Sequence, residues 1–131
     1  MSYITNIIKK TEENEYFREV IFTGAKSQLV VMNIPAGGEI GAEVHAHVEQ
    51  ALFFLSGSGT AVLDGEEKPV AAGDVLIVTP GAMHNVINTG ESELKIYTLY
   101  APANHIDGRI HETKADADKD EEDEAFGEAA R

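Results

Sequence analysis

Three histidines stand in two stretches of the chain that both have the composition of β-structure. His45 and His47 lie two residues apart in residues 41–47, and His84 ends the stretch of residues 73–84. Side chains at positions i and i+2 of an extended strand point to the same face. If a neighbouring strand adds His84, the three imidazoles would surround a space suited to a divalent metal. Imidazole is a good ligand for zinc, copper, iron and nickel.

Glu43 precedes His45 by two residues and therefore has the same strand parity as the two histidines. On an extended strand its carboxylate would face the same side as their imidazole rings. It could bind the metal directly, or it could accept a hydrogen bond from an imidazole N–H and so orient that ring. The sequence leaves both roles open.

Short apolar runs separated by turn residues fill the middle of the chain. Residues 29–34 are rich in β-branched side chains, and Asp64-Gly65 between two such runs is a hairpin signal. Residues 51–55 are apolar on both faces, which indicates a strand covered on both sides. The predicted strands are residues 16–22, 29–34, 51–55, 60–63, 68–71, 75–78, 85–88 and 94–100. Short strands at about ten-residue spacing, without a long helix, predict an all-β sandwich or barrel.

The chain has the size of one domain and a strongly acidic composition. It contains 131 residues, of which 43% are hydrophobic, and its formal net charge is −13. This charge argues against nucleic acid and anionic membranes as partners. The absence of cysteine excludes disulfides and thiolate metal sites. No signal-peptide pattern or membrane-length apolar run is visible, so we expect a cytoplasmic protein that does not bind membranes.

The C-terminal part of the sequence differs in composition from the rest. Residues 112–131 contain nine acidic and three basic side chains. Like charges in a block repel one another and stay solvated. We therefore expect a β-domain over residues 1–111, including its N-terminal arm, followed by a mobile, disordered acidic tail over residues 112–131. His105 and His111 lie in the extension just before the tail, and we expect them to be exposed.

The two histidine stretches resemble the paired motifs of the cupin superfamily. The second motif matches at Gly73, Pro80-Gly81, His84 and Asn88, with Thr79 where proline is usual. In the first motif His45-Ala46-His47 matches, and Gln50, six residues before Gly57, stands where the family has glutamate. Only two residues separate His47 from Gln50, fewer than in the family pattern. The resemblance covers roughly residues 29–100.

This resemblance implies a cupin-type double-stranded β-helix, or jelly-roll barrel, that binds one divalent transition metal (Fe, Mn, Zn or Ni). Its ligands would be His45, His47 and His84, with Gln50 in place of the glutamate. Glu49 would replace Gln50 if the strand register shifted by one residue, and Glu43 is a third possible oxygen ligand. Because the gap after His47 is short, both histidines or only one could bind the metal. Cupins of this kind are commonly homodimers, and we expect a homodimer here.

The resemblance leaves the activity open, because one fold hosts many functions. It implies a small polar or anionic metabolite held beside the metal, in a metal-dependent isomerase, decarboxylase or dioxygenase. The alternative is a non-catalytic module that binds or senses a small molecule. The basic residues are scattered along the chain, at Arg18, Lys68, Lys95 and Arg109 among others, so phosphate recognition is not expected unless the fold gathers them.

Overall fold

Two antiparallel β-sheets form the body of the protein, which a computed structural model describes over residues 1–129. The helices are Ile7–Glu13 (α1), Lys114–Asp118 (α2) and Glu121–Glu128 (α3), and the strands are Arg18–Thr23 (β1), Gln28–Ile34 (β2), Glu43–Val44 (β3), Glu49–Ser56 (β4), Ser58–Leu63 (β5), Glu66–Ala71 (β6), Val75–Val78 (β7), Met83–Ile87 (β8), Leu94–Ala101 (β9) and Ile110–His111 (β10). One sheet has the order β10-β1-β2-β9-β4-β7, and the other has the order β3-β8-β5-β6. The predicted all-β jelly-roll architecture is confirmed. Within the described residues, no helix has the length and apolarity needed to cross a membrane.

Local sequence explains the positions of the turns and the helix α1. Asp64 and Gly65 join β5 to β6 and both have positive φ, 49° and 85°, as a two-residue type I′ hairpin requires. At the N-terminus the side chain of Asn6 accepts a hydrogen bond from the backbone N–H of Lys9 at 3.0 Å and so caps α1. The N-terminal arm of the predicted β-domain therefore contains one short helix.

The hydrophobic core lies between the two sheets. On β4, Leu52 and Phe54 are buried, whereas the alternating residues Ala51 and Phe53 are only half-buried on the outer face. From the other sheet, Val86 on β8 is fully buried in the same core. Burial of one such side chain contributes about 1.5–3 kcal/mol. Gln50 lies on the same face of β4 as Leu52, so the strand also carries a polar side chain into the interior.

The acidic C-terminal segment is folded, which differs from the expected disordered tail. Thr113 caps α2 and Asp120 caps α3, each by accepting a backbone N–H hydrogen bond. Four acidic side chains fill the first turn of α3, where the positive end of the helix dipole stabilises them. The acidic residues of this segment are therefore distributed over the N-termini of α2 and α3. The boundary at residue 111 between two units stays a prediction, and Ala130 and Arg131 lie outside the described residues.

Asp123 of α3 attaches the C-terminal helices to the barrel. Its carboxylate accepts a hydrogen bond from the backbone N–H of Ile106 at 2.7 Å and lies 2.7 Å from Nδ1 of His105. Both Asp123 and His105 are buried. His111 makes a parallel link, because its Nε2 lies 2.8 Å from Oδ2 of Asp120. These two pairs explain why His105 and His111 are buried and not exposed, as their position in a loop had suggested.

We expect Asp123→Ala to destabilise the protein because it removes the partner of the buried His105 and of the partly buried N–H of Ile106. Leaving a buried donor unpaired costs about 1–3 kcal/mol, so the free energy of unfolding should fall by ~1–3 kcal/mol. Asp116→Ala, on the exposed surface of α2, is the matched control and should change little. Urea unfolding followed by circular dichroism measures both. Equal stability of the two variants would show that α3 is not held by Asp123.

Candidate functional site

Pairing of β3 with β8 places Glu43 directly opposite His84. His84 is 2% exposed, and its Nδ1 donates to the carbonyl oxygen of Ala82 at 3.3 Å, which leaves Nε2 with a free lone pair. Burial lowers the pKa of His84, and the nearby His45 lowers it further, so the ring is neutral near neutral pH. A neutral imidazole held by a backbone carbonyl is the form that binds metals.

His45 follows the end of β3 and lies between His84 and the other sheet. Its ring centroid is 5.1 Å from that of His84 and 6.3 Å from that of Tyr100 on β9. The Nε2 atom of His45 lies 3.1 Å from Oε2 of Glu43. Burial raises the pKa of Glu43, but the hydrogen bond from His45 and the charge of Arg18 outweigh this effect and the net pKa is lowered. Glu43 is therefore an ionised carboxylate in contact with an imidazole.

His47 is separated from the other two histidines by a bend in the chain. The predicted strand over residues 41–47 is present only at Glu43–Val44, and the chain bends at Ala46 and His47. The backbone N–H of Gly81 donates to the carbonyl oxygen of His45 at 2.8 Å and holds the chain where β3 ends. The alternation of side chains that would place His47 beside His45 is therefore lost, and His47 is exposed.

Gln50 occupies the interior in the place that the family pattern gives to glutamate. It is 3% exposed, and its Nε2 donates to Oγ1 of Thr98 at 3.1 Å. Its Oε1 atom is buried without a hydrogen-bond partner. Gln50 pairs in register with Tyr100, whose ring is close to His45, so the unpaired oxygen belongs to the same interior region. Glu49, by contrast, is exposed, so the register turns Gln50 inward and Glu49 outward.

These side chains fit a divalent transition metal in their chemistry. A carboxylate, an amide oxygen and two imidazoles are hard and intermediate donors that Fe, Mn, Zn and Ni accept. The unpaired Oε1 of Gln50 is an acceptor for which the described residues offer no donor, and a cation would satisfy it. The candidate set is Glu43, His45, Gln50 and His84, whereas His47 is exposed beyond the bend, in the wall of the adjoining cavity.

A second group of possible ligands lies at the base of the C-terminal helices. Atoms of His111, Asp120 and Asp123 come within 4.8 Å of one another. However, hydrogen bonds from His111 and the backbone of Asp123 hold the pKa of Asp120 at about 2, and Arg109 also binds its carboxylate at 2.8 Å. Two guanidinium groups adjoin this cluster, because Arg18 approaches His111 as well. We therefore interpret the cluster as a structural ion-pair network and not as a cation site.

A cavity of about 710 Å³ opens above the candidate site, between residues 40–48 and the C-terminal helices. Glu43, His45 and His47 form one side of its wall, and His105 and Arg18 are part of another. His84 and Gln50 do not line the wall but are buried in the interior. The cavity thus gives a small molecule access to His45 and Glu43. Arg18 carries no motif that could have been recognised in the sequence, because its place in the wall depends on the pairing of β1 with β10.

Comparison with known proteins agrees with this architecture. A family model described as "Cupin domain" matches residues 30–100, and the chain belongs to this family. The chain is 38% identical to the uncharacterized protein YrkC of Bacillus subtilis over 121 residues, covering 88% of this chain and 65% of YrkC. The chain therefore spans a little less than two thirds of the length of that relative.

Two further relatives bear on the fold and the site. The crystal structure of BH2720 from Bacillus halodurans superposes with a TM-score of 0.87 at 35% identity, covering 89% of this chain and 93% of that chain. A more distant relative, the oxalate-binding protein of Thermotoga maritima, is 31% identical over 68 residues, which are 52% of this chain and 56% of that protein.

The buried His105 predicts how stability changes with pH. Burial, together with the charge of Arg18, lowers the pKa of His105 to about 4 although Asp123 is its partner. In the unfolded chain the ring takes up a proton below about pH 6.5, whereas in the folded protein it stays neutral down to about pH 4. The unfolded state thus binds more protons in this window, and the free energy of unfolding falls as the pH falls. The full effect is at most ~3 kcal/mol.

Urea unfolding at several pH values between 7 and 4 measures this slope. His105→Gln, which cannot take up the proton, should show a shallower slope than the wild type over the same range. His84 contributes in the same direction, so some slope will remain in the variant. Parallel curves for the two proteins would contradict the assignment of a lowered pKa to His105.

Proposed function

We propose that this cupin binds one divalent transition metal, Fe, Mn, Zn or Ni, and holds a small polar or anionic metabolite beside it. The ligands would be Glu43, His45 and His84, with the amide oxygen of Gln50. The observation that carries the proposal is the buried Oε1 of Gln50, for which the described residues offer no hydrogen-bond partner. Gln50 pairs with Tyr100, whose ring lies near that of His45. His45 in turn contacts Glu43 and lies beside His84. An unpaired buried acceptor is costly without a ligand.

The charge of the ligand set bears on what the metal would bind. Glu43 is ionised and would cancel one unit of the charge of a divalent cation, while Gln50 cancels none. The remaining positive charge favours an anionic oxygen ligand. A metal in this position supplies Lewis acidity toward such a ligand. Glu43 and His45 line the cavity and would therefore present the open side of the metal to solvent and to the metabolite.

An open cavity supports ligand binding over a purely structural metal. Structural metal sites are closed by protein ligands on all sides, whereas catalytic and ligand-binding sites leave a position open. The oxalate-binding relative supports a small organic acid as the ligand. Isomerase, decarboxylase and dioxygenase activities remain the enzymatic forms of the proposal, and a module that binds without turnover remains the alternative. Formate and carbon dioxide after incubation of the metal-loaded protein with oxalate would show decarboxylation of that substrate, and recovery of unchanged oxalate would favour binding without turnover.

Single substitutions should lower metal content in a defined order. His84→Ala and His45→Ala should reduce the bound metal sharply, because each removes one of two inward imidazoles. His47→Ala should retain most of the metal, because its side chain is exposed beyond the bend. Elemental analysis of untagged protein after equilibration with each metal gives the stoichiometry. Gln50→Ala should also lower the bound metal, and Glu49→Ala, at the exposed neighbouring position of β4, is its matched control. Equal losses in the His45 and His47 variants would refute the assigned ligand set.

We also propose that the protein is a homodimer formed through the outer face of β4, β7 and β9. Two apolar rows cross these strands in register: Ile77–Ala51–Leu99 and Val75–Phe53–Tyr97. Val75, Ile77 and Leu99 are between 41% and 52% exposed. β7 is also the edge of its sheet, which leaves it free to meet another chain. Exposed contiguous apolar surface of this kind marks interaction sites.

We expect Ile77→Lys to dissociate the dimer, because it places a charge in the centre of an apolar contact. Ile110→Lys is the control, since Ile110 is similarly exposed on β10 at the opposite edge of the same sheet. Sedimentation equilibrium should give twice the 14.1 kDa chain mass for the wild type and the control, and the chain mass for Ile77→Lys. A wild-type mass near 14.1 kDa would refute this interface.

A further inference from the structure

Arg18 carries a buried positive charge in the wall of the cavity, and no acid among the described residues forms an ion pair with it. The residue is 7% exposed, and its Nε is buried without a hydrogen-bond partner. Its Nη1 atom lies 3.5 Å from Nδ1 of His111, and its guanidinium is hydrogen-bonded to the buried Tyr100 hydroxyl and lies 5.1 Å from the Phe17 ring. Within residues 1–129, no carboxylate lies within 4.0 Å of it, unlike Arg109, which binds two.

A buried guanidinium without a counter-charge is unfavourable in a folded protein. Moving an ion out of water costs several kcal/mol unless a partner restores the lost hydration. Arg18 faces Glu43, Tyr100, His105 and His111, and of these only Glu43 is an anion, at more than 4.0 Å. The other three are neutral groups or weak acceptors. The protein thus retains a cation that its own structure does not neutralise.

We propose that Arg18 binds the carboxylate group of a small organic acid in this cavity. A guanidinium presents two parallel N–H groups that match the two oxygens of a carboxylate. Arg18 lines the same cavity as Glu43 and His45, so one small ligand can contact Arg18 at one end and the side of Glu43 and His45 at the other. The end of the ligand at Glu43 and His45 rests on the proposed function, whereas the end at Arg18 rests on its buried position in the cavity wall, its unpartnered Nε and the lack of a carboxylate within 4.0 Å among the described residues.

The charges of the cavity wall favour a carboxylate over a phosphate. The other cation of the wall, Lys114, is bound to Asp118 by contacts of 2.8 and 3.1 Å. Asp123, Glu124 and Glu128 add further negative charge to the wall. A phosphate carries close to two negative charges near neutral pH and would meet only one unpaired cation among several acids. A carboxylate carries one negative charge, which the single guanidinium neutralises.

The test compares Arg18→Met, Arg18→Lys and the charge-matched control Lys68→Gln, which lies on the exposed strand β6. Calorimetric titrations with oxalate, malonate, acetate and phosphate are run on metal-free and metal-loaded protein. We expect a carboxylate to bind the wild type and the control equally, and to bind Arg18→Met at least about tenfold more weakly, because a hydrogen-bonded charge pair contributes ~1.5–3 kcal/mol. The carboxylate affinity of Arg18→Lys should be intermediate, because an ammonium group lacks the two parallel N–H groups of a guanidinium.

Thermal unfolding of the ligand-free proteins separates ligand binding from a structural role of Arg18, because the two roles predict opposite changes in the melting temperature of Arg18→Met. If Arg18 is kept for a ligand, Arg18→Met removes an unpaired buried charge and its melting temperature equals or exceeds that of the wild type. Equal carboxylate affinity in Arg18→Met and wild type overturns the inference, and so does phosphate binding as tightly as any carboxylate. If Arg18→Met does not fold, the carboxylate affinity of Arg18→Lys is compared with that of the wild type, and equal affinities overturn the inference.

The same titrations separate this inference from the proposed function. Metal content should be unchanged in both Arg18 variants, because Arg18 is not among the proposed ligands. Arg18-dependent carboxylate binding to a protein that takes up no metal would support the inference and refute the metal site. Metal uptake without any Arg18-dependent carboxylate binding would refute the inference and leave the metal site standing.

Discussion

The antiparallel pairing of two residues, Glu43 and Val44, with β8 sets the geometry on which the site depends. This short pairing places Glu43 opposite His84 and ends where the carbonyl oxygen of His45 accepts the N–H of Gly81. A longer β3 would carry both His45 and His47 along one face. Because the strand stops after Val44, the imidazole of His45 lies beside Glu43 and His84, while His47 is exposed in the cavity wall. The same strand end also leaves room for the cavity above His45.

The sequence alone could predict the elements that depend on local pattern. Alternating apolar residues and turn signals located most of the strands, and Asp64-Gly65 formed the expected hairpin. These predictions succeeded because strand parity and turn conformation are decided by neighbours along the chain. Which of Glu49 and Gln50 faces inward was left open by the sequence, and the register of β4 turns Gln50 inward.

Features that depend on contacts between distant residues could not be read in this way. The bend at His47 depends on a hydrogen bond to Gly81, and the folded C-terminal segment depends on the pairs His105–Asp123 and His111–Asp120. A run of acids predicts a solvated tail when its partners are unknown. Arg18 was likewise only one of several scattered basic residues until the pairing of β1 with β10 brought it beside His111.

The buried polar groups around the cavity are of two kinds. One kind holds the fold together, and the other is available to bind a ligand. His105, Asp123, His111 and Asp120 satisfy one another, and their pairs hold the C-terminal helices over the barrel. Arg18 and Asn104 in the cavity wall, and Gln50 below it, each keep one buried atom without a hydrogen bond. A network that served stability alone would be expected to satisfy all its members, because each unpaired group costs free energy.

The unpaired groups of Arg18 and Gln50 also differ in what they require. Nε of Arg18 is a donor on a cation, whereas Oε1 of Gln50 is an acceptor that needs a donor or a cation. An anion alone would satisfy only the first, and a metal alone only the second. A metal at Gln50 together with an organic acid at Arg18 would satisfy both, and the ionised Glu43 between them would moderate the positive charge on each side. The unpaired atoms of Arg18 and Gln50 lower the stability of the ligand-free protein. A bound metal together with a bound organic acid best explains why both are present.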